Sequence, residues 1–560
     1  MKASEALVRM LKEAGVEVIF GLCGDTSLPL YEALHDVGQG LTHVLARDER
    51  SASYMADVYA RLSGRVGVCE GPSGGGALYI LPGLAEANAS SVPLVAFTTD
   101  IELRNYERGT LTELDQSTLM RPVTRWSRTP ASAADLPRTV REAFRRATAG
   151  AMGAVHVRLP EDLLEDELPD DIASADGICD RYPRQRPAPD PEAVKQAASI
   201  LVEAQAPVIV AGAGVLRSQA WDELRELAEL LGAPVATSVS GKGAIAETHP
   251  LSLGVVGSNG GLPYRRRFID QADAVLLVGT RGGSVTTQKW TAPRQGRARL
   301  IQVDVSPEHL GLNYALDAAL LADAKLGLAA LLEELDRRLG GRSAGKVDPD
   351  RMARERQAYL ERIEEFGSDA VPIRPERFIA ELEHVMAPRS VLVVDPGTAT
   401  PYMAAYYRLP QPGRWWACPR AHGALGYSLP GVVGAYLAVP GAARVVGIMG
   451  DGSFGISAGE LETIVRLGLP VTLIVLNNAS YGWIKAGQKE RGGKYYSVDL
   501  LDVDHAAVAR AYGLKGWRVE HPRDLAPALK AALEASGPAL VDVVVQQLQD
   551  ARAPVAAWVV

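Results

Sequence analysis

Short apolar runs alternate with helix-period stretches along the whole 560-residue chain, and no other feature narrows the fold as far. Near the start, residues 16–20, 42–45, 65–69 and 94–98 read as strands. Helical patterns beginning at Leu28, spanning 50–62 and ending near Asn88 separate them. Strands that are apolar throughout must bury both faces, so the pattern dictates parallel sheets covered by helices on both sides. The alternation resumes with APVIVAGAG, LGAPVATS, ADAVLLVGT and RLIQVDVSP, and again after residue 373 with strands at 391–394, 445–449, 471–476 and 539–545. A domain takes about 100–200 residues. Three doubly wound α/β domains are therefore expected, at 1–165, 190–340 and 373–548. The acidic, proline-rich stretch between 165 and 190 reads as a linker, and DPDRMARERQAYLERIEEF as a charged helical connector. No exact repeat is present, although three units of similar size fit an old duplication.

Composition removes several functions. The formal charge is −8, with no long block of one sign, so a nucleic-acid partner is not expected. No apolar run of about 18 residues is present, so no membrane span is expected. The first residues, MKASEALVRMLKEAG, read as an amphipathic helix and not as a signal peptide. Cys23, Cys69, Cys179 and Cys418 lie far apart with no CxxC pair, which suits a reducing cytoplasm and neither a disulfide framework nor a zinc site. Fifty-five glycines, clustered in short runs, point to tight strand-to-helix turns, some of which cradle ligands.

The chemistry is concentrated in residues 443–488. One strand ends in Gly450-Asp451-Gly452-Ser453, and the Ser457…Glu460 pair reads as a capping box opening the next helix. The following strand ends in Asn477-Asn478. In a right-handed βαβ unit both strands deliver their carboxyl ends to one edge, which brings Asp451 and Asn478 together. A carboxylate and an amide oxygen suit a hard cation such as Mg2+, whose remaining positions phosphate oxygens and water fill. Gly450 and Gly452 let backbone approach a diphosphate, and Ser453 adds a hydroxyl donor. Either dipeptide alone is a common turn signal; the two at this spacing on consecutive buried strands are specific.

GDG, 24 residues, then NN is the pattern of the thiamine diphosphate-dependent enzymes, and nearly the whole chain resembles their acetolactate synthase and benzoylformate decarboxylase branch. The resemblance implies pyrimidine-binding, middle Rossmann-like and diphosphate-binding domains. It implies Mg2+ held by Asp451, Asn478 and the Ser480 carbonyl, with Tyr481, Gly482 and Thr398 (in DPGTAT) beside the diphosphate. In ARDERSASYMADVYARLSG it puts Glu49 at the position of the glutamate that activates the cofactor through its aminopyrimidine. Taken alone, an acid opening a helix is explained by the macrodipole, but the family pattern around it favours the cofactor role; the residue before it is Asp48 where the family usually has His. In AHGALGY, Leu425 matches the residue that props the cofactor into its bent form, and the Gly423 carbonyl faces its amino group. Ser73 and Gly74 of SGGG correspond to a turn beside the substrate, and His422 is the histidine expected in the pocket.

Substrate-facing positions depart from each branch. Asp25, in FGLCGD, matches a proton-relaying aspartate of pyruvate-type decarboxylases, or is a plain helix N-terminal acid. No paired histidines occur near Leu111–Glu113, and Ile484 stands where those decarboxylases have a glutamate. Acetolactate synthases have Phe-Gln at Leu111-Thr112, Met-Val at Trp483-Ile484 and a tryptophan at Gly487. The pocket, with Asp25, Ser73, Gly74, Thr112, Glu113, His422, Trp483, Ile484 and Gln488 as candidates, is therefore reshaped. The resemblance implies a lyase or transferase that decarboxylates a 2-oxo acid and ligates the product to a second carbonyl, such as an aldehyde. A simple 2-oxo acid decarboxylase, an acyl-CoA lyase and a non-catalytic cofactor binder remain alternatives. A homodimer or homotetramer is implied. The middle block's Gly212-Ala213-Gly214 lacks the third glycine of a dinucleotide fingerprint; some relatives bind FAD or ADP there, and a vacant domain is the expectation.

Overall fold

A computed structural model describes residues 1–169, 179–340, 342, 345–346 and 348–556. Its strands form three six-stranded sheets, parallel throughout. The first contains β1 (Val18–Gly21), β2 (Thr42–Leu45), β3 (Gly67–Gly71), β4 (Leu94–Asp100), β5 (Trp126–Arg128) and β6 (Ala154–Pro160), in the order β2-β1-β3-β4-β6-β5. The second contains β7 (Pro207–Ala211), β8 (Val235–Thr237), β9 (Ser252–Val255), β10 (Ala274–Val278), β11 (Arg299–Asp304) and β12 (Ala318–Leu321), in the order β12-β11-β10-β7-β8-β9. The third contains β13 (Val391–Val394), β14 (Trp416–Ala417), β15 (Val445–Gly450), β16 (Val471–Asn477), β17 (Lys515–Val519) and β18 (Ala539–Val544), in the order β14-β13-β15-β16-β18-β17.

Counted from its own first strand, the third sheet repeats the order of the first, whereas the middle sheet has the 3-2-1-4-5-6 order of dinucleotide-binding folds. Of the three like-sized units, two share a topology and one differs. In such open sheets ligands collect outside the strand carboxyl ends, where the winding direction reverses. Those points fall between β1 and β3, between β7 and β10, and between β13 and β15. Central strands such as β4 and β16 are buried along their whole length, which is why they read as unbroken apolar runs.

The chain divides into two compact units. One is Met1–Gln185 with Pro419–Gly441 and Gly455–Leu469; the other is Arg186–Cys418, Ala442–Phe454 and Pro470–Val560. The first unit therefore draws two segments out of the 373–548 stretch. The helix Ser428–Ala438 packs along the helix Glu49–Ser63 so closely that a Cβ on Gly434 would stand 2.1 Å from the Met55 carbonyl oxygen. Beside that crossing, Tyr54 and Tyr427 meet edge to face, their ring centroids 5.2 Å apart. In the second unit the buried Lys242 donates to Glu247 at 2.5 Å and to the Tyr407 carbonyl at 2.7 Å, tying the middle sheet's loops to the third sheet's.

Local departures from the sequence expectations have physical causes. The helix expected to end near Asn88 is two, Gly75–Tyr79 and Leu81–Ala89, with Pro82 in the first turn of the second. No side-chain cap forms at Ser457; Glu460 instead accepts from the Arg47 amide at 2.9 Å and the Thr463 hydroxyl at 2.6 Å. Of the expected linker, residues 170–178 lie outside the described residues. Its later part is tied down, with Asp180 paired to Arg65 and the Tyr182 hydroxyl donating to the Ala60 carbonyl.

Candidate functional site

The third sheet gathers the GDG and NN residues at its reversal point. Thr398 follows β13, Gly450 ends β15, and Asp451 opens the helix Asp451–Ser457. One Asp451 oxygen accepts from the Gly452 amide at 2.9 Å and the other from the Ser480 amide at 3.2 Å. Between Asn478 and Ser480, Ala479 sits at φ +51°, a left-handed turn that swings the Ser480 amide toward Asp451. Asn478 Oδ1 accepts from the Ser480 hydroxyl at 3.1 Å, and Asn478 Nδ2 donates to Thr398 Oγ1 at 3.4 Å. The Tyr481 ring covers Gly452, where a Cβ would stand 2.7 Å from Tyr481 Cε1. A Cβ on Gly482 would stand 2.8 Å from Asn478 Nδ2, whereas one on Gly450 would meet open space. Ser453 is buried.

Asp451 is 6% exposed, and burial pushes its carboxyl up to about 6 in spite of the amide donors and the nearby His505. Among the described residues it has no lysine or arginine partner. A buried carboxylate with no lysine or arginine partner, flanked by an amide oxygen and the largely buried turn 478–480, is a donor set suited to a hard divalent cation. Among the described residues no cluster of three or more His, Cys, Asp or Glu offers an alternative metal site.

The helix Gly482–Glu490 carries the other candidates of this edge. Trp483 is half-buried against the unit's core and Ile484 is exposed. Gln488 is spent on its own loop: its amide nitrogen donates to the Tyr496 carbonyl and its amide oxygen accepts from the Tyr496 amide, both at 3.0 Å.

At the first sheet's carboxyl edge, Asp48 caps the helix Glu49–Ser63 by accepting from the Arg50 amide at 2.7 Å, which leaves Glu49 as the first helical residue. Glu49 is buried, and its carboxyl is pushed up by burial and by the charges of Asp48 and Glu70. The turn after β3 lies on it: a Cβ on Gly76 would stand 3.0 Å from Glu49 Oε1. Ser73, buried in that turn, lies 2.7 Å from the Thr112 hydroxyl. Asp25 is exposed and opens a 3-10 turn. Glu113 closes its own loop, accepting from the amides of Glu107 at 2.8 Å and Thr110 at 3.1 Å. His422 and Gly423 are exposed, Gly423 at φ +65° with open space where a side chain would be, and Leu425 is half-buried.

Two carboxylates here escaped the sequence reading. Glu86, fully buried, accepts from the backbone amides of Arg420 at 3.0 Å, Ala421 at 3.1 Å and His422 at 3.1 Å, and pairs with Arg61 at 3.2 Å. Burial opposes its charge, but Arg61, Ser90 and these amides hold the carboxyl below its usual range. It anchors the loop that presents His422, Gly423 and Leu425. Glu70, at 1% exposure on β3, accepts from the Tyr31 hydroxyl at 2.6 Å and lies 3.2 Å from His43 Nε2. The available signal was a lone carboxylate closing the apolar run GVCE; Glu86 left none, since the backbone amides it accepts from lie more than 330 positions away.

In the middle sheet the Gly212 and Gly214 turn packs backbone on backbone. A Cβ on Gly212 would stand 2.2 Å from the Gly279 carbonyl oxygen, and the Gly214 amide donates to that oxygen at 3.0 Å. These contacts account for both glycines without a phosphate.

Models of the thiamine pyrophosphate enzymes match along the chain: the N-terminal TPP binding domain at residues 1–119, the central domain at 194–331 and the C-terminal TPP binding domain at 395–543. The chain is 33% identical to a probable acetolactate synthase large subunit of Methanococcus aeolicus, covering 97% of this chain and 92% of that protein. It is 32% identical to an acetolactate synthase of Mycobacterium bovis (97% and 88% covered) and 30% identical to the acetolactate synthase isozyme 3 large subunit of Escherichia coli (95% and 92% covered).

Proposed function

The chain belongs to the thiamine diphosphate enzymes, and from that premise we propose that it removes CO2 from a 2-oxo acid and joins the remaining acyl unit to a second carbonyl. The observation that carries the cofactor part of this reading is the buried, cation-free Asp451 carboxylate beside Asn478. Asp451, Asn478 Oδ1 and the Ser480 carbonyl would hold Mg2+, and Thr398, Gly450, Gly452, Ser453, Tyr481 and Gly482 would surround a diphosphate. Glu49, Gly423 and Leu425 would receive the pyrimidine. When bound, thiamine diphosphate supplies a nucleophilic carbon and a sink for the electron pair that CO2 leaves behind.

The chain's own residues supply the rest. Glu49, with its proton affinity raised by burial and by the charges of Asp48 and Glu70, is suited to share a proton with a ring nitrogen. The Glu86 anchor fixes the backbone of Arg420, Ala421 and His422, and with it the segment whose Gly423 carbonyl and Leu425 would meet the pyrimidine. We assign these groups to domains at 1–165 and 373–548, with a middle domain at 190–340 that takes no nucleotide. We also infer a cytoplasmic homodimer or homotetramer. Exposed Leu28, Leu78, Tyr79 and Leu111 near the first sheet's edge, and Ile484, Tyr496 and Leu501 near the third's, support burial against another copy. No described helix is long and apolar enough to cross a membrane.

Mass spectrometry of products from pairs of 2-oxo acids and aldehydes, with Mg2+ and thiamine diphosphate present, tests the reading. A carbon–carbon ligation product lost in E49Q is expected. Aldehyde and CO2 alone would make the chain a simple decarboxylase. Full turnover by E49Q would overturn the role of Glu49.

A further inference from the structure

Four hydroxyls in the first unit form one hydrogen-bonded row. Thr99 Oγ1 lies 2.9 Å from Thr26 Oγ1, Thr26 donates to Ser73 Oγ at 3.1 Å, and Ser73 Oγ lies 2.7 Å from Thr112 Oγ1. The Thr112 hydroxyl donates onward to the Leu111 carbonyl at 2.6 Å. Each hydroxyl has a single proton to give. With the Thr26 and Thr112 protons committed, Thr99 donates to Thr26 and Ser73 donates to Thr112. The row therefore points one way, from buried Thr99, Thr26 and Ser73 to exposed Thr112. Donors aligned head to tail polarise one another, which makes the last O–H the strongest donor of the row.

Thr112 is held there against its backbone preference. Its φ is +67°, rare for a β-branched residue, and strain of this kind persists where surrounding structure enforces it, commonly at functional sites. Gly74, itself at φ +63°, leaves room for it: a Cβ there would stand 2.9 Å from Thr112 Cβ. The same turn, residues 73–76, touches Ser73's partner Thr112 at one end and the Glu49 carboxylate at the other. Thr26 and Thr99 had no signal in the sequence, since each lies inside a short polar run, Asp25–Ser27 and Thr98–Asp100.

We propose that the Thr112 hydroxyl, polarised by this row, is the donor that holds the carboxylate of the 2-oxo acid, exchanging the Leu111 carbonyl for a carboxylate oxygen. The inference rests on the proposed function. A neutral donor suits a carboxylate that must be discharged. A cation would bind the charge more strongly before CO2 leaves than as it leaves, and so would deepen the ground state. The row contains no carboxyl or imidazole, so its hold on the substrate stays constant across neutral pH.

The test is steady-state kinetics of T112V, T112S, T112G and T99V, with melting temperatures for each. T112V is expected to raise KM for 2-oxo acids about ten- to a hundredfold, the worth of a hydrogen bond to a charged group, and to leave KM for an aldehyde acceptor unchanged. T112S should restore KM. T99V should give a smaller rise, because it cuts only the buried end. T112G should raise KM while keeping or raising the melting temperature, since glycine relieves the strained φ. An unchanged KM in T112V, an equal rise for the aldehyde, or no recovery in T112S would overturn the inference while wild-type turnover keeps the proposed function. A wild-type chain that releases no CO2 from any 2-oxo acid overturns both.

Discussion

Replacing Asp451 by asparagine separates the cost of a buried charge from the benefit of a cation. Burial raises the Asp451 carboxyl from the ordinary 3.8 to about 6. A rise of about 2 units corresponds to about 3 kcal/mol at 1.36 kcal/mol per unit. Because the folded value is raised, the metal-free fold carries this penalty in full above about pH 6. The penalty shrinks as pH falls and is gone below about pH 4, where the unfolded chain also holds the proton. Asparagine removes the charge but turns an NH2 toward one of the two amides that Asp451 accepts from, forfeiting about 1 kcal/mol. Metal-free D451N should therefore be about 2 kcal/mol more stable than the parent at pH 8 and slightly less stable at pH 4. Urea unfolding followed by tryptophan fluorescence at the two pH values measures this. With Mg2+ and thiamine diphosphate the order should reverse. A ligand at about 100 times its Kd stabilises the parent by about 2.7 kcal/mol, and D451N should gain little. A metal-free D451N that is less stable at pH 8, or that gains as much from the cofactors, would refute an uncompensated carboxylate poised for a cation.

Two further outcomes follow from buried carboxylates elsewhere. E86A leaves Arg61 with one partner fewer and the amides of Arg420, Ala421 and His422 without their acceptor, so a loss of about 3–5 kcal/mol is expected in urea unfolding, together with weaker thiamine diphosphate binding by titration. Unchanged stability would show that the loop does not depend on this anchor. Glu376, 2% exposed in the first turn of the helix Pro375–Val385, is pushed by burial up to about 7 from 4.5. E376Q should gain about 3 kcal/mol above pH 7 and nothing below about pH 4.5. A gain that does not change with pH would remove burial of charge as its cause.

The legible part of the site was the part carried by short-range rules. Asp451 and Asn478 close consecutive strands joined by one crossover, so handedness alone brings them to one edge. Glu49 follows a strand and opens a helix, a position that a capping residue announces. Glu113 and Gln488 have their side chains committed to nearby backbone, also for a physical reason. Glu113 accepts from the amides of its own loop, and Gln488, in the last turn of the helix Gly482–Glu490, pairs with the backbone of Tyr496 in the segment that follows. The Ser457…Glu460 box failed because Glu460 found the Arg47 amide, a partner 413 positions away.

By itself, the sequence determined the alternation of strand and helix, hence three parallel sheets, and the pairing of a carboxylate with an amide at one sheet edge. Those follow from periodicity and chain handedness, which act over a few tens of residues. Only the tertiary structure decided that the outer sheets share a winding order and the middle one differs. It alone decided that Glu86 anchors the 420–422 loop, and that Thr99, Thr26, Ser73 and Thr112 align into one row. Such features depend on which loops meet, and on which polar groups lose their water when they do. No periodic pattern in a chain records either.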